Sequence, residues 1–382
     1  MLRWRIETQT FSGVRSMINR RKVLKNSLIG AATAAAACGG PANQSGPAVH
    51  TQEKVRWRLA SSFPRSLDTL YGSAEVLAKR VSEMTNGNFE IHVHPGGELV
   101  PPLEVLEAVQ QGSLQMGHTA SYYYIGKNPA LAFDCCVPFG LTARQQAAWL
   151  QQEGQDLTRS LFADFNILNF PAGNTGTQMG GWFKNAVNSL SELQGLKMRI
   201  PGMGGKVMAE MGVAVQTLAG GEIYTALERG AIDATEWVGP YDDEQLGFYK
   251  VAKLYYYPGW WEPGPSLSFY VNQNAWSKLS AEYKAIFQAA AREAELGMLA
   301  RYDIQNPEAL GRLLNQGVEI RPFADDILQK ARAVSQQLLE ENAAKDPSYA
   351  KVYDSWKKAK QSMFQWFNTA ESLYAKAAFS KD

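Results

Sequence analysis

The chain has 382 residues, 45% of them hydrophobic and 20% charged, a balance ordinary for a globular protein with room for two domains. Its formal charge of +1 hides an asymmetry: seven Lys/Arg and one acid, Glu7, lie in residues 1–38, which leaves the remainder at −5. A mildly acidic body argues against a nucleic-acid partner, which needs a basic face.

The N-terminal segment, residues 1–38, reads as an export signal. Asn19-Arg20-Arg21-Lys22-Val23-Leu24-Lys25 follows the twin-arginine pattern, and a weakly apolar run from Ser27 to Ala37 comes next. That run is too short and too Ala-rich to span a bilayer, which takes about 20 strongly apolar residues. Cys38 follows three alanines as in a lipobox, without the Leu three residues earlier. Lipid attachment and simple cleavage both fit, and Met17 is an alternative start. Residues 39–54, rich in Gly, Pro, Ser and Gln, read as a tether.

Val55–Ala60 alternates with period two and predicts the first strand. Leu67–Thr85 has helical spacing, with Leu70, Ala74, Leu77 and Val81 on one face, and stops at Asn86-Gly87. Phe89–His94 predicts a second strand and Pro102–Gln111 a second helix, an alternation that argues for an α/β fold. A further unit begins near Ile167–Phe170. It runs through a strand at Lys197–Ile200, a helix after Gly204 and a helix at Ile223–Arg229, and Leu267–Val271 returns to strand. Beyond Ala275 four helices are predicted, at Glu282–Arg301, Pro307–Asn315, Ala324–Glu341 and Tyr349–Ala378. The last carries Val352, Trp356, Met363, Trp366, Phe367, Leu373 and Tyr374, a surface that its own domain or another subunit must cover.

Most catalytic signatures are missing: there is no G-x-S-x-G, H-E-x-x-H or C-x-x-C. Gly202–Lys206 resembles a phosphate loop only superficially. It has Val207 where Ser or Thr would bind magnesium, and reads instead as a helix start. His92 and His94 share a strand face without a third ligand nearby, which favours a surface role; His118 carries no reading alone. Cys135 and Cys136 read as small buried hydrophobes rather than a strained vicinal bridge.

Two segments stand out. Asp233–Pro240 and Gly259–Pro263 each place a carboxylate, Glu236 or Glu262, beside tryptophan and chain-turning Gly and Pro. Aromatic walls mark concave ligand sites, and acids among them are rarely buried unless paired or metal-bound. Arg199 ends a strand just before Pro201-Gly202, and α/β folds bind ligands at strand carboxyl ends. Its guanidinium can take both oxygens of a carboxylate. Two buried carboxylates beside an anion are costly to desolvate. Na⁺ or Ca²⁺ would reconcile them, with the amide oxygen of Gln178 completing the shell; a shared proton is the competing solution. The Tyr122–Tyr124 and Tyr255–Tyr257 runs read as core or wall, with one or two hydroxyls near the ligand.

These pieces, together with Ser61–Pro64, Gly96–Pro101, Asn174–Trp182 and Ala219–Tyr224, resemble in order the solute-binding subunits of TRAP (tripartite ATP-independent periplasmic) transporters. The resemblance runs from about residue 55 to the C-terminus and is nearest the 2-oxo-acid and calcium-lactate branch. It implies an α/β, two-lobed periplasmic-binding-protein fold with hinge strands and a long C-terminal helical extension. Lobe I would comprise 55–165 with 241–272, and lobe II 166–240 with 273–323. The helices of 324–382 would form an element that subunits of a homodimer can exchange. It further implies a periplasmic receptor, free or anchored through Cys38, and not an enzyme. The receptor would capture a small 2-oxo monocarboxylate such as pyruvate with a metal cation, Na⁺ or Ca²⁺, and no organic cofactor. It would then deliver the acid to TRAP membrane permease subunits. Carried over by position, Arg199 holds the carboxylate, while Gln178, Glu236, the backbone of Trp237, and Glu262 coordinate the cation. Asn174 and Tyr122, with Gln178 and Trp237, contact the ligand. The alternatives are a receptor for lactate, another 2-hydroxy acid or a C4-dicarboxylate, and a metal-assisted enzyme with Glu236 or Glu262 as base. A diacid would want a second cation, for which the sequence offers only Lys206.

Overall fold

A computed structural model describes residues 53–379; the export signal, Cys38 and nearly all of the tether lie outside the described residues. Eleven strands follow in chain order among them: β1 Val55–Ser61, β2 Phe89–His94, β3 Met116–Thr119, β4 Ile167–Asn174, β5 Trp182–Phe183, β6 Lys197–Arg199, β7 Ala214–Gln216, β8 Ala234–Thr235, β9 Leu254–Tyr257, β10 Ser266–Asn272 and β11 Glu319–Pro322. They form two sheets, ordered β2-β1-β3-β10-β4 and β11-β9-β5-β8-β6-β7. Each sheet mixes parallel pairs (β1 with β2 and β3, β6 with β7 and β8) with antiparallel ones. The α/β, two-lobed reading holds.

The lobes divide differently from the sequence reading at three places. β4 opens the span assigned to lobe II, yet it pairs antiparallel with β10 in the first sheet. β9 was placed in lobe I and pairs with β5 and β11 in the second. The helix Ala281–Asn315 was placed in lobe II. It is one element of 35 residues running through Pro307, where two helices were predicted. Its buried Phe287 meets Phe170 of β4 at 5.1 Å and Trp57 of β1 at 6.3 Å, and Ala290, Ala291 and Ala294 are buried on the same helix. A face of small residues and one aromatic packs against the first sheet in spite of the N–H that Pro307 cannot donate.

The chain therefore passes between sheets three times: at residues 175–181, after β4, at 258–265, after β9, and between β10 and β11 by way of the helix Ala281–Asn315. The first two crossings run side by side. The Gln178 and Thr175 amides donate to the carbonyls of Glu262 and Pro265 at 3.1 and 3.3 Å, and the Gly259 amide donates back to the Gln178 carbonyl at 3.0 Å. Gly181 sits at φ +82, and a Cβ on Gly259 would lie 2.5 Å from the Gln178 carbonyl oxygen. Glycine at both allows the strands to approach this closely.

At the C-terminus the helix Asp325–Lys345 buries Ile327, Ala331 and Val334 in the cluster that holds Trp261 and Phe323 of the second lobe. The helix Pro347–Thr369 buries Tyr349, Val352, Tyr353 and Trp356 around Phe133 of the first. The long terminal helix predicted as continuous breaks at Ala370 and resumes as Glu371–Ala378. Past Trp356 burial fades: Trp366 is 62% exposed, Leu373 60%, Tyr374 71% and Phe379 79%.

Candidate functional site

β6 and β8 are parallel neighbours, with Arg199 opposite Thr235. Glu236 is the first residue beyond β8, and its amide donates to the Arg199 carbonyl at 3.2 Å. Both side chains thus emerge at strand carboxyl ends, where α/β sheets place their ligands. Glu262 and Gln178 come from the paired crossings. Tyr122 comes from a 3₁₀ turn, Ser121–Tyr124, that directly follows β3.

Arg199, Glu236 and Glu262 are all at most 3% exposed. The Arg199 Nη1 forms an ion pair with Glu236 Oε1 and donates to the Glu236 carbonyl at 3.1 Å, while its Nε donates to the Leu218 carbonyl at 3.1 Å. The guanidinium lies 5.0 Å from the Trp237 ring centroid, a cation–π arrangement. Four buried side-chain atoms of Arg199, Glu236, Glu262 and Gln178 have no hydrogen-bond partner among the described residues: Arg199 Nη2, Glu236 Oε2, Glu262 Oε2 and Gln178 Oε1. Buried polar atoms are nearly always satisfied, so four orphans in one constellation mark a place built for something else.

Electrostatics agrees. Burial pushes the Glu236 carboxyl up to about 8, with Arg199 pulling it down and Asp243 pushing it further up. Glu262 is raised well above the carboxylate range by burial and then by Glu236. Burial opposes charge on Arg199, but Glu236 and the nearby hydroxyls hold it firmly protonated. One guanidinium faces two carboxylates. The side chains alone leave the site one positive charge short, in a setting where each uncompensated charge costs several kcal/mol.

A cleft lined by Phe63, Leu70, Tyr122, Tyr123, Gln178 and Trp237, among others, adjoins these buried groups and has a volume of only about 10 Å³. That is roughly the space of one water molecule, too little for an acid and a cation together. Tyr122 is buried beside Glu262 and Glu236, which add to the burial that raises its hydroxyl. Asn174 is spent on backbone, donating to the Gly264 carbonyl and accepting from the Gly176 amide, both at 2.9 Å. In this conformation it shapes the first crossing. Lys206 lines a separate cavity with Met203 and Tyr349.

Sequence reasoning left open which tyrosines of 122–124 face the site and missed two contributors, Asp243 and Asp134. Tyr123 shares the cleft and is pushed up to about 12 by burial, with Arg199 beside it pulling the other way. Asp243 accepts from Trp182 Nε1 at 2.9 Å, from the Tyr255 hydroxyl at 2.6 Å and from the Val238 amide at 3.2 Å. It thereby fixes the backbone just past Trp237. Asp134 accepts from Ser121, Ser268 and Asn169 at 2.5–2.6 Å and anchors the turn that carries Tyr122. An acid pair right after Pro240 was the available signal for Asp243; nothing local marks Asp134. Elsewhere, Cys135 and Cys136 are buried free thiols and His92 is exposed. His94 bonds Glu98 at 2.6 Å, and His118 is buried between the Ser61 and Ser73 hydroxyls.

The profile of the bacterial extracellular solute-binding proteins, family 7, matches residues 60–346. A monocarboxylate 2-oxoacid-binding periplasmic protein of Nostoc sp. is 54% identical over 95% of this chain and 100% of its own length. A TRAP transporter solute binding protein from Bordetella bronchiseptica, a dimer with copurified calcium and picolinate, superposes with a TM-score of 0.85. It shares 46% identity over 86% of this chain and 98% of that one. One from Pseudoalteromonas atlantica, with bound sodium and pyruvate, gives 0.82 and 38% over 85% and 99%. The chain belongs to family 7 of the bacterial extracellular solute-binding proteins, the solute-binding subunits of TRAP transporters.

Proposed function

We propose that this receptor captures a small 2-oxo monocarboxylate such as pyruvate together with a hard cation, and hands the acid unchanged to a TRAP permease. The observation that carries the reading is the set of orphaned atoms. Gln178 Oε1, Glu236 Oε2 and Glu262 Oε2 are three buried oxygens without partners, and Arg199 Nη2 is a buried donor without one. Oxygens of this kind suit Na⁺ or Ca²⁺, and the free Nη2 of a charged guanidinium suits a carboxylate oxygen. A bound cation would supply the positive charge that lets two carboxylates and the acid share a dry cleft. Arg199, Glu236 and Glu262 sum to one negative charge and a monocarboxylate adds another, a deficit that a divalent ion cancels. The relatives' printed ligands, calcium with picolinate and sodium with pyruvate, support both the chemistry and this range.

The chain's own residues then bind and orient. Arg199 is held from behind by the Leu218 and Glu236 carbonyls and presents Nη2. Tyr122 and Trp237 wall the acid, and the paired crossings let the lobes open, since so small a cleft admits no acid and cation together. A diacid is disfavoured because Lys206 faces another cavity. The exposed apolar stretch from Trp366 to Phe379 is best covered by a second subunit, and the B. bronchiseptica relative is a dimer. Titrating pyruvate and lactate separately into the protein with Ca²⁺ or Na⁺, while following tryptophan fluorescence and recovering the ligand afterwards, tests this. A shift at micromolar pyruvate with intact recovery is expected. Silence for both acids, or conversion of the pyruvate, would refute it.

A further inference from the structure

The joint between the C-terminal helices and the first lobe holds a second cavity of about 600 Å³, lined by Phe139, Leu328, Gln329, Arg332, Gln336 and Lys360, among others. Its two cations are unusual. Arg332 and Lys360 form no ion pair among the described residues, although Asp325 lines the same cavity. Both are pinned by aromatic faces. The Arg332 guanidinium lies 4.5 Å from the Phe139 ring centroid, and the Lys360 ammonium lies 5.1 and 5.2 Å from those of Trp356 and Phe364. Surface lysines normally wander; aromatic faces instead fix these two charges around one hollow. Burial, and then the like charge of Arg332, pull the Lys360 ammonium down to about 8, so holding both charges here carries an electrostatic cost.

We infer that this cavity is a second anion site, taking a phosphate monoester between Arg332 and Lys360. Two fixed cations match a dianion better than a monocarboxylate, and a guanidinium fork with an ammonium suits phosphate oxygens. A hollow of this volume lies within the range of small-molecule pockets. It leaves Gln329 and Asp325 for the ester's hydroxyls and Leu328 and Pro138 for its carbon skeleton. Phe139 also links this cavity to the chain segment that carries Glu262. Phe139 sits at φ +53, a conformation uncommon for a bulky residue. Its ring stacks on Trp260 at 5.2 Å and 13°, and its amide donates to the Trp260 carbonyl at 2.8 Å, two residues before Glu262.

The test is calorimetry with glycerol phosphate on the wild type and on the Arg332→Gln/Lys360→Gln double variant, with thermal unfolding confirming that both are folded. Saturable binding weakened at least about tenfold in the double variant, with a change in tryptophan emission on binding, is expected. Equal heats in both proteins would overturn the site. Retention on vesicles of phosphatidic acid in phosphatidylcholine, lost with the same two substitutions and without free-ester binding, would overturn a free ester as occupant. A dimer that the double substitution dissociates, again without ester binding, would give the cavity to a second copy.

Discussion

Replacing Arg199 by lysine keeps the charge and removes the fork. In the folded chain Nε serves the Leu218 carbonyl, Nη1 serves both the carbonyl and the carboxylate of Glu236, and Nη2 is free. One ammonium cannot occupy these positions together. If it stays with Glu236, the incoming carboxylate loses the donor that Nη2 offers; if it turns to the ligand, buried acceptors go unpaired at about 1–3 kcal/mol each. A loss of at least about 1.4 kcal/mol, or tenfold in Kd, is therefore expected. Isothermal calorimetry with pyruvate at saturating Ca²⁺ measures it, and a melting curve shows that the variant is folded. A folded Arg199→Lys protein that binds within about twofold of wild type would mean the acid is held by other groups.

Other expectations follow from the same charges. Glu236→Gln should weaken cation and acid together, each by more than about tenfold; tight pyruvate binding without any cation dependence would contradict its assignment. Asp242, held by the Tyr302 hydroxyl at 2.8 Å and pushed up to about 8 by burial, makes stability pH-dependent. Its folded value lies above the ordinary 3.8, so the cost of keeping it protonated grows as pH rises from about 4 and is complete by about 8. Asp242→Asn should thus stabilise metal-free protein against unfolding at pH 8, by at least the roughly 1.4 kcal/mol of one pKa unit, and do little at pH 4; an equal effect at both values in denaturant melts would refute the burial argument. Trp366→Glu, on the exposed terminal helix, should shift light-scattering mass from dimer to monomer without altering pyruvate affinity. A wild-type monomer would remove the need for a second subunit.

Local signals carried much of this reading. The β2 strand and the apolar face of the helix Leu70–Met84 follow from periodicity alone, since a strand of period two and a helix of period 3.6 each bury one side. The acids of the site were legible because Glu236 and Glu262 each adjoin a tryptophan in a segment that also carries Gly and Pro. What stayed hidden was register. Nothing local says that β6 and β8 are neighbours, so the ion pair between Arg199 and Glu236 could not be read, nor that Arg199 spends two of its three nitrogens within the protein. The lobe boundaries failed for the same reason: β4 and β9 choose their sheets by long-range pairing. Pro307 misled because tertiary packing of Phe287 and the alanines outweighs one lost hydrogen bond.

Pyruvate affinity in sodium-free potassium buffer with a chelator, compared with the same titration after calcium is restored, bears most directly on the constellation of Arg199, Glu236 and Glu262. Binding should be lost without the metal ion and return with it, at one acid and one ion per chain. Equal affinity in both buffers would mean that the two glutamates settle their repulsion by sharing a proton, and that no ion belongs in this site.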